Sequence, residues 1–508
     1  MPHGMMKNSI VNFLGAAIPA VANLVAVPLL VHNLGTEDYG LLTLVLALVG
    51  YFALLDINAT QGSIRFIAEY DSLGQPRKAN EVISISLIIY LSIGFAGLFL
   101  ILLSAPALIE HVFEIQSEKE DIALFTLRLA GVAFLFSQLQ AYLVSIPQAM
   151  QQYKVSAATE AVFGTITPLL SAAVAVLGYG IEDVILARLI LSIINVAVLW
   201  RLVKCLRPDL SLVKATKATT RNLVSFSAYS YLSRIAAVSQ AHMDRVILGI
   251  FLGMTHITYY SIPVTLCNRL FGMTFRLGSV IYPAVSQLNV QGDADNLQRI
   301  YLSASRYITA INSFLLLLII VYGQDLLNLW VGSEFVEEGY PILVIATLAM
   351  MIDSMTNLPS LMNNAIGHPK ITGYFAVARA IIGVILLTVG TIWWGIIGTA
   401  IGHLIGSILM TVLFLIYVHS RLGAVPVLFM EVVTGAYLPA LLVCGITSIV
   451  ALVTKPDYPG SILTLTVHGS LVSVIYVIFA LIIVVKPEHR ERILIRLHCK
   501  SADDLQDD

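Results

Sequence analysis

Fourteen stretches of mostly apolar residues alternate with short polar or Gly/Pro-bearing breaks along this chain. Each is about 20 residues or longer, which is what a helix needs to cross a bilayer. Their approximate limits are 8 to 33, 40 to 66, 82 to 109, 122 to 147, 156 to 178, 183 to 203, 223 to 252, 260 to 287, 300 to 323, 340 to 366, 372 to 394, 396 to 419, 431 to 453 and 462 to 485. The eleventh and twelfth are divided by little more than Trp394 and Gly395. The run from Ile10 to Val31 is too long for a signal h-region and lacks a convincing cleavage site, so it reads as a retained first helix. Composition fits the pattern. Of 508 residues 58% are hydrophobic and 12% charged, with a mean hydropathy of +0.86, whereas about a quarter of a soluble domain is charged. The expected fold is an all-α, polytopic membrane protein of about 14 transmembrane helices.

Charge sets the orientation. A cytoplasmic N-terminus places eighteen Lys and Arg in inside loops and tails and only Lys119 and Lys455 outside, the bias that positive-inside topology requires. Both termini are then cytoplasmic, and the lipid bilayer is the first partner. The longest outside loop, QDLLNLWVGSEFVEEG, is about fifteen residues, too short for an extracytoplasmic catalytic domain. A net charge of −2 and the lack of a basic run argue against a nucleic-acid partner. Cys205, Cys267, Cys444 and Cys499 are scattered without a C-x-x-C, so neither a disulfide framework nor a metal site is indicated.

The second half of the chain repeats the first. Leu34 and Gly35 in NLGTEDYGLLTL map to Leu252 and Gly253 in FLGMTHITYYSI at an offset of 218, and Gly74 maps to Gly292. After a two-residue adjustment QQYKVSA maps to GHPKITG. Two parallel six-helix repeats follow, a plan that places a transporter site between halves. The expected organisation is an N-terminal lobe at 1–205, a cytoplasmic linker at 206–222, a C-terminal lobe at 223–422, two appended spans within 431–485 and a cytoplasmic tail at 486–508.

The patterns PLLVHNLGTEDYGLLTL, IRFIAEY, HMDRVILGIFLG, VIYPAVSQL, NLWVG and NAIGHPK together resemble bacterial oligosaccharide and polysaccharide flippases, of the O-antigen type, in the multidrug/oligosaccharidyl-lipid/polysaccharide exporter superfamily. The resemblance covers about residues 7 to 420. It implies translocation of undecaprenyl-diphosphate-linked oligosaccharide from the inner to the outer leaflet of the bacterial inner membrane, through a cavity lined by spans 1, 2, 7 and 8. The polysaccharide polymerase machinery is an implied partner.

With Arg201, at the cytoplasmic edge of span six, counted among the inside cations, nine arginines and no lysine lie within the spans. Arg128, Arg188, Arg306 and Arg379 sit within about two turns of a span end, where snorkelling accounts for them. Arg269 and Arg276 lie deeper, seven residues apart on one face of span eight. Arg234 in span seven has comparable depth, and Arg65 closes span two beside Asn58 and Gln61. Guanidinium binds phosphate bidentately and keeps its charge when desolvated, so these six residues are the expected substrate-binding set. The competing explanation is that the arginines pair with intramembrane acids and hold helices together. Those acids, Asp56, Asp244 and Asp353, are also the candidates for ion coupling; no cofactor is expected beyond a proton or sodium gradient.

An isolated charge costs on the order of tens of kcal/mol in a low-dielectric medium, so a diphosphate-linked sugar needs a polar route. A multidrug exporter or a lipid II flippase of the same superfamily stands as the alternative. An enzyme is disfavoured, since no Walker A, H-E-x-x-H or nucleophile elbow occurs. The topology is tested by fusing reporters. One after Lys500 is expected in the cytoplasm and one at Lys119 on the opposite side; an exposed C-terminus would break the repeat phase.

Overall fold

The computed structural model describes residues 3–56, 59–279, 285, 293–365, 369–422, 430–455, 462–487 and 490, and among them there is no strand. The chain runs as α1 (His3–Leu34), α2 (Thr36–Phe52), α3 (Ala59–Ser72), α4 (Pro76–His111), α5 (Glu120–Ala149), α6 (Tyr153–Val176), α7 (Ile181–Leu206) and α8 (Lys217–Phe251). It continues as α9 (Met254–Ser279), α10 (Ala294–Trp330), α11 (Glu334–Ser354), α12 (Asn357–Ala365), α13 (Pro369–Leu422), α14 (Leu438–Thr454) and α15 (Ile462–Phe479). Ten helical segments among the described residues are long and apolar enough to cross a membrane. One of them, Lys370–Ser420, has double length and is interrupted at Trp394 and Gly395, where the backbone leaves helical angles. That is where the sequence separates spans eleven and twelve. The protein is an all-α polytopic membrane protein.

Three expectations are revised. Span two is two helices, because α2 tightens into a 3-10 turn at Ala53–Leu55 and Asp56 then turns extended before α3. Span ten is likewise α11 and α12, separated at Met355 and Thr356, whose N–H groups reach back only three residues, to Ile352 and Asp353. The supposed outside loop QDLLNLWVGSEFVEEG is mostly helical, α10 running to Trp330 and α11 starting at Glu334; Leu326, Leu327, Leu329 and Trp330 extend the apolar run of span nine.

The described chain forms two compact units, one built from residues up to Ile262 with Ala376–Gly402, the other from Pro263–Phe375 with the chain from His403 onward. In the first, α4 packs on α5, α5 on α7, α1 on α6 and α2 on α8. Tyr90 and Tyr142 are fully buried in its core beside Ile67, Ile83 and Leu199. Lipid is as apolar as these side chains, so close packing and satisfied polar groups hold the helices together. Lys119 caps the acidic first turn of α2, pairing with Asp38 and, at 3.3 Å, with Glu37. The segment between α7 and α8 lies strapped along the start of α4. Arg207 grips Asp71 bidentately at 2.8 and 2.9 Å, Val213 N donates to Ser84 Oγ at 2.9 Å, and Thr216 donates to Glu81 through both its N–H and its hydroxyl at 3.1 Å.

In the second unit α10 packs on α11 and α14 around Phe271, Leu317, Val321, Val443 and Tyr476. Lys455 pairs with the buried Asp325 and donates to Val321 O at 2.6 Å, stapling the end of α14 to α10.

Gly35 and Gly253 turn α1 into α2 and α8 into α9 with φ of 84° and 83°, angles that only glycine adopts without strain. They are the pair matched by the 218-residue offset, so one backbone corner is used twice. At that corner Thr258 Oγ1 donates to Thr36 O at 2.5 Å, and a Cβ on Gly40 would fall 2.0 Å from Met254 O. Gly40→Ala must therefore push α9 aside. It is expected to destabilise the purified protein by about 1–3 kcal/mol, the range for overpacking. Gly383→Ala, where no atom lies within 4 Å of the new Cβ, is the control; equal thermal midpoints for both would refute the close approach.

Candidate functional site

A helix broken inside a bilayer frees backbone groups that lipid cannot satisfy. At the break between α2 and α3 two other helices supply the partners. Tyr231 of α8 donates its hydroxyl to Leu54 O at 2.6 Å. Tyr90 of α4 accepts from Thr60 N, the first free donor of α3, at 2.8 Å and donates to Asp56 Oδ1 at 3.1 Å. Arg234, near the middle of α8, sets Nη2 at 3.5 Å from Asp56 Oδ2. The Asp56 side chain is 3% exposed and that of Arg234 36%, so the carboxylate depends on the pair while the guanidinium keeps a face open.

From this break α3 runs toward the Leu73–Gln75 turn with two unlike faces. Ala59, Gly62, Ser63 and Ile67 are buried; Gln61, Arg65 and Glu69, at i, i+4 and i+8, are exposed. Three large polar side chains in one row mark a watered face, since lipid would penalise each. Arg65 also lies over Phe66 at 5.4 Å. Asn58 falls outside the described residues, as does the side chain of Arg276, whose backbone belongs to α9. Arg269 and its neighbour Asn268 are exposed partway along α9, in the second unit.

The other charges of α8 are met by short-range contacts. Asp244 is buried and accepts from Arg245 N at 2.8 Å, with Arg245 Nη1 at 3.9 Å. Arg245 turns to Ser261 Oγ and Ala241 O. His242 lies against Gly50, so closely that a Cβ there would fall 2.4 Å from Nε2. Asp353 ends α11 at the second break and faces His403 of α13 at 3.7 Å. Tyr90, Tyr231, Glu69 and His403 were not singled out in the sequence. The two tyrosines carry no charge to draw attention, but Glu69 and His403 were visible as polar residues near or within spans. The network gives a stability test: Tyr90→Phe leaves Thr60 N–H without its partner and is expected to cost about 1–3 kcal/mol, read as a lowered unfolding midpoint. An unchanged midpoint would show that Asp56 and Thr60 do not rely on the hydroxyl.

Residues 5–289, more than half of the chain, match the family described as polysaccharide biosynthesis protein. The "Putative O-antigen transporter" of Shigella flexneri is 24% identical over 432 residues, covering 83% of this chain and 99% of that one. The "Probable low-salt glycan biosynthesis flippase Agl15" of Haloferax volcanii is 26% identical over 248 residues, 47% of this chain and 50% of that one. Among solved structures, the lipid II flippase MurJ in an inward closed conformation superposes with a TM-score of 0.70 at 17% identity, over 93% of this chain and 98% of that one. An inward-facing multidrug resistance transporter of the MATE family gives 0.68 at 16% identity, over 82% and 99%. These last two establish a shared fold.

Proposed function

Because the chain belongs to the polysaccharide biosynthesis protein family, we propose that it is a flippase that carries polyprenyl-diphosphate-linked oligosaccharide from the inner to the outer leaflet of a bacterial cytoplasmic membrane by alternating access. The observation that carries this reading is the polar row Gln61, Arg65 and Glu69, exposed along α3 below a helix break. Hydroxyl-rich sugar needs hydrogen-bonding side chains along its path, and a diphosphate needs cations that stay charged away from bulk water. Arg65, Arg234, Arg269 and Arg276 supply guanidinium, with Asn58 and Gln61 as amide partners for sugar. Arginine suits the phosphate because its fork makes two parallel hydrogen bonds, where lysine offers a point charge. Two relatives support this reading, one described as a putative O-antigen transporter and one as a probable glycan biosynthesis flippase. Coupling to a proton or sodium gradient would run through Asp244 within α8, Asp56 at the α2 to α3 break or Asp353 at the end of α11, acids with partners already in place. The likeness to the lipid II flippase over 93% of the chain favours, as the second reading, another polyprenyl-diphosphate sugar as passenger.

The experiment is transport by the purified protein in liposomes, following the loss of a labelled polyprenyl-diphosphate oligosaccharide from the accessible leaflet. The unaltered protein is expected to translocate it. Arg269→Ala and Arg276→Ala should slow this about tenfold to a hundredfold, the equivalent of one charge-assisted bond, with Lys restoring part. Asp244→Asn should lose dependence on the imposed gradient. Efflux of cationic dyes without oligosaccharide movement would overturn the flippase reading, and equal transport by the double Ala variant would overturn the phosphate role of the pair.

A further inference from the structure

Arg188 does not snorkel. It lies about 10 Å along α7 from Ile181 at 1.5 Å per residue and, half-buried itself, lines a half-open cavity of about 220 Å³ walled by α2, α5, α6 and α7 within the first unit. Polar groups from three helices share its wall: Ser137 and Gln140 of α5, Thr167 of α6, and Ser192 and Asn195 of α7. The rest of the lining is apolar, and no carboxylate belongs to it. Arg188 has neither an ion pair nor a hydrogen bond to any described residue, and no described carboxylate acts on its charge. This is an unusual state for a guanidinium inside a membrane protein, where such charges are paired or led to water.

The donor inventory gives the sign of what is missing. Ser137 and Thr167 spend their hydroxyl hydrogens on Phe134 O and Phe163 O, and the Gln140 amide donates to Ser192 Oγ and O at 2.6 and 3.1 Å. Ser192 therefore has its own hydrogen to give. The donors left are the Arg188 guanidinium, the Ser192 hydroxyl and the Asn195 amide, at i, i+4 and i+7 on one face of α7. Asn195 Oδ1 is itself buried without a partner. A cavity with one fixed positive charge, several free N–H and O–H groups and no carboxylate selects an anion. Its volume equals on the order of seven waters, enough for a small inorganic anion with part of its hydration shell.

We infer that this cavity is a binding site for a small inorganic anion, of chloride or phosphate type, held by Arg188 with Ser192 and Asn195. It is separate from the polar row of α3 and does not depend on the identity of the passenger. The anion neutralises Arg188 where no carboxylate does, and so lets α7 close on α2, α5 and α6 with a charged residue between them.

The test uses the full-length protein in detergent, with thermal unfolding followed in sodium chloride, sodium phosphate and sodium gluconate at equal ionic strength. Chloride or phosphate is expected to raise the midpoint over gluconate by about 2 °C or more, in a saturable manner. Arg188→Gln and Asn195→Leu should lose that dependence, whatever their stability in gluconate, while Arg188→Lys should keep a weakened form. Bromide diffused into crystals of the unaltered chain should give an anomalous peak in the cavity, a readout that survives if a variant fails to fold. No anion dependence in the unaltered protein would overturn the site and leave Arg188 solvated by water alone. An undiminished shift in Arg188→Gln, a cavity free of bromide, or stabilisation by anionic phospholipid but by neither inorganic anion would overturn it equally.

Discussion

A charge within the hydrocarbon layer must be paired, hydrated or removed, and the architecture of this protein is organised by that constraint. The arginines of the spans do not share one solution. Arg234 is set against Asp56 at a helix break, Arg245 is folded back on its own helix and Ser261, and Arg188 lines a half-open cavity. Arg65 lies along an exposed polar row. The helix breaks obey the same rule. The α2 to α3 break is tolerable because Tyr231 and Tyr90 satisfy a carbonyl and an amide it frees.

Much of this was legible in the chain. Apolar runs of bilayer length identified a polytopic helical protein, and the 218-residue offset returned as Gly35 and Gly253 with nearly equal φ. The division at Trp394 and Gly395 was visible because those two residues carry the turn themselves. What escaped had a common cause. Hydropathy averages over a window, so it could not register that three residues at Ala53–Leu55 tighten and Asp56 swings out, nor that Met355 and Thr356 interrupt α11 and α12. The depth of Arg188 gave a correct distance from the helix end but not a direction, and direction decides between snorkelling and burial. The chemistry of Asp56 was readable as an intramembrane acid, and pairing of the span arginines with such acids was the competing explanation, which holds for Arg234; which arginine Asp56 would meet, and that Tyr90 would join it, was not, since they lie 178 and 34 residues away.

Asp56 and Asp353 show how one device is built twice from different parts. Each acid stands at the end of a helix that stops within a longer apolar run, and each meets a basic side chain from another helix, Arg234 in one unit and His403 in the other. A helix that stops leaves carbonyls with no following N–H, so its C-terminal end is a place of negative potential. Adding a carboxylate there makes a basic neighbour close to obligatory.

The strap between α7 and α8 has a mechanical meaning. Ten slack residues, 207 to 216, could reach across on the order of 35 Å, and would let the start of α8 wander over the face of the first unit. Pinned by Arg207 to Asp71, by Val213 to Ser84 and by Thr216 to Glu81, they form a short, inextensible tether instead. A pull on α8 at Lys217 arrives at the foot of α4 without being absorbed on the way.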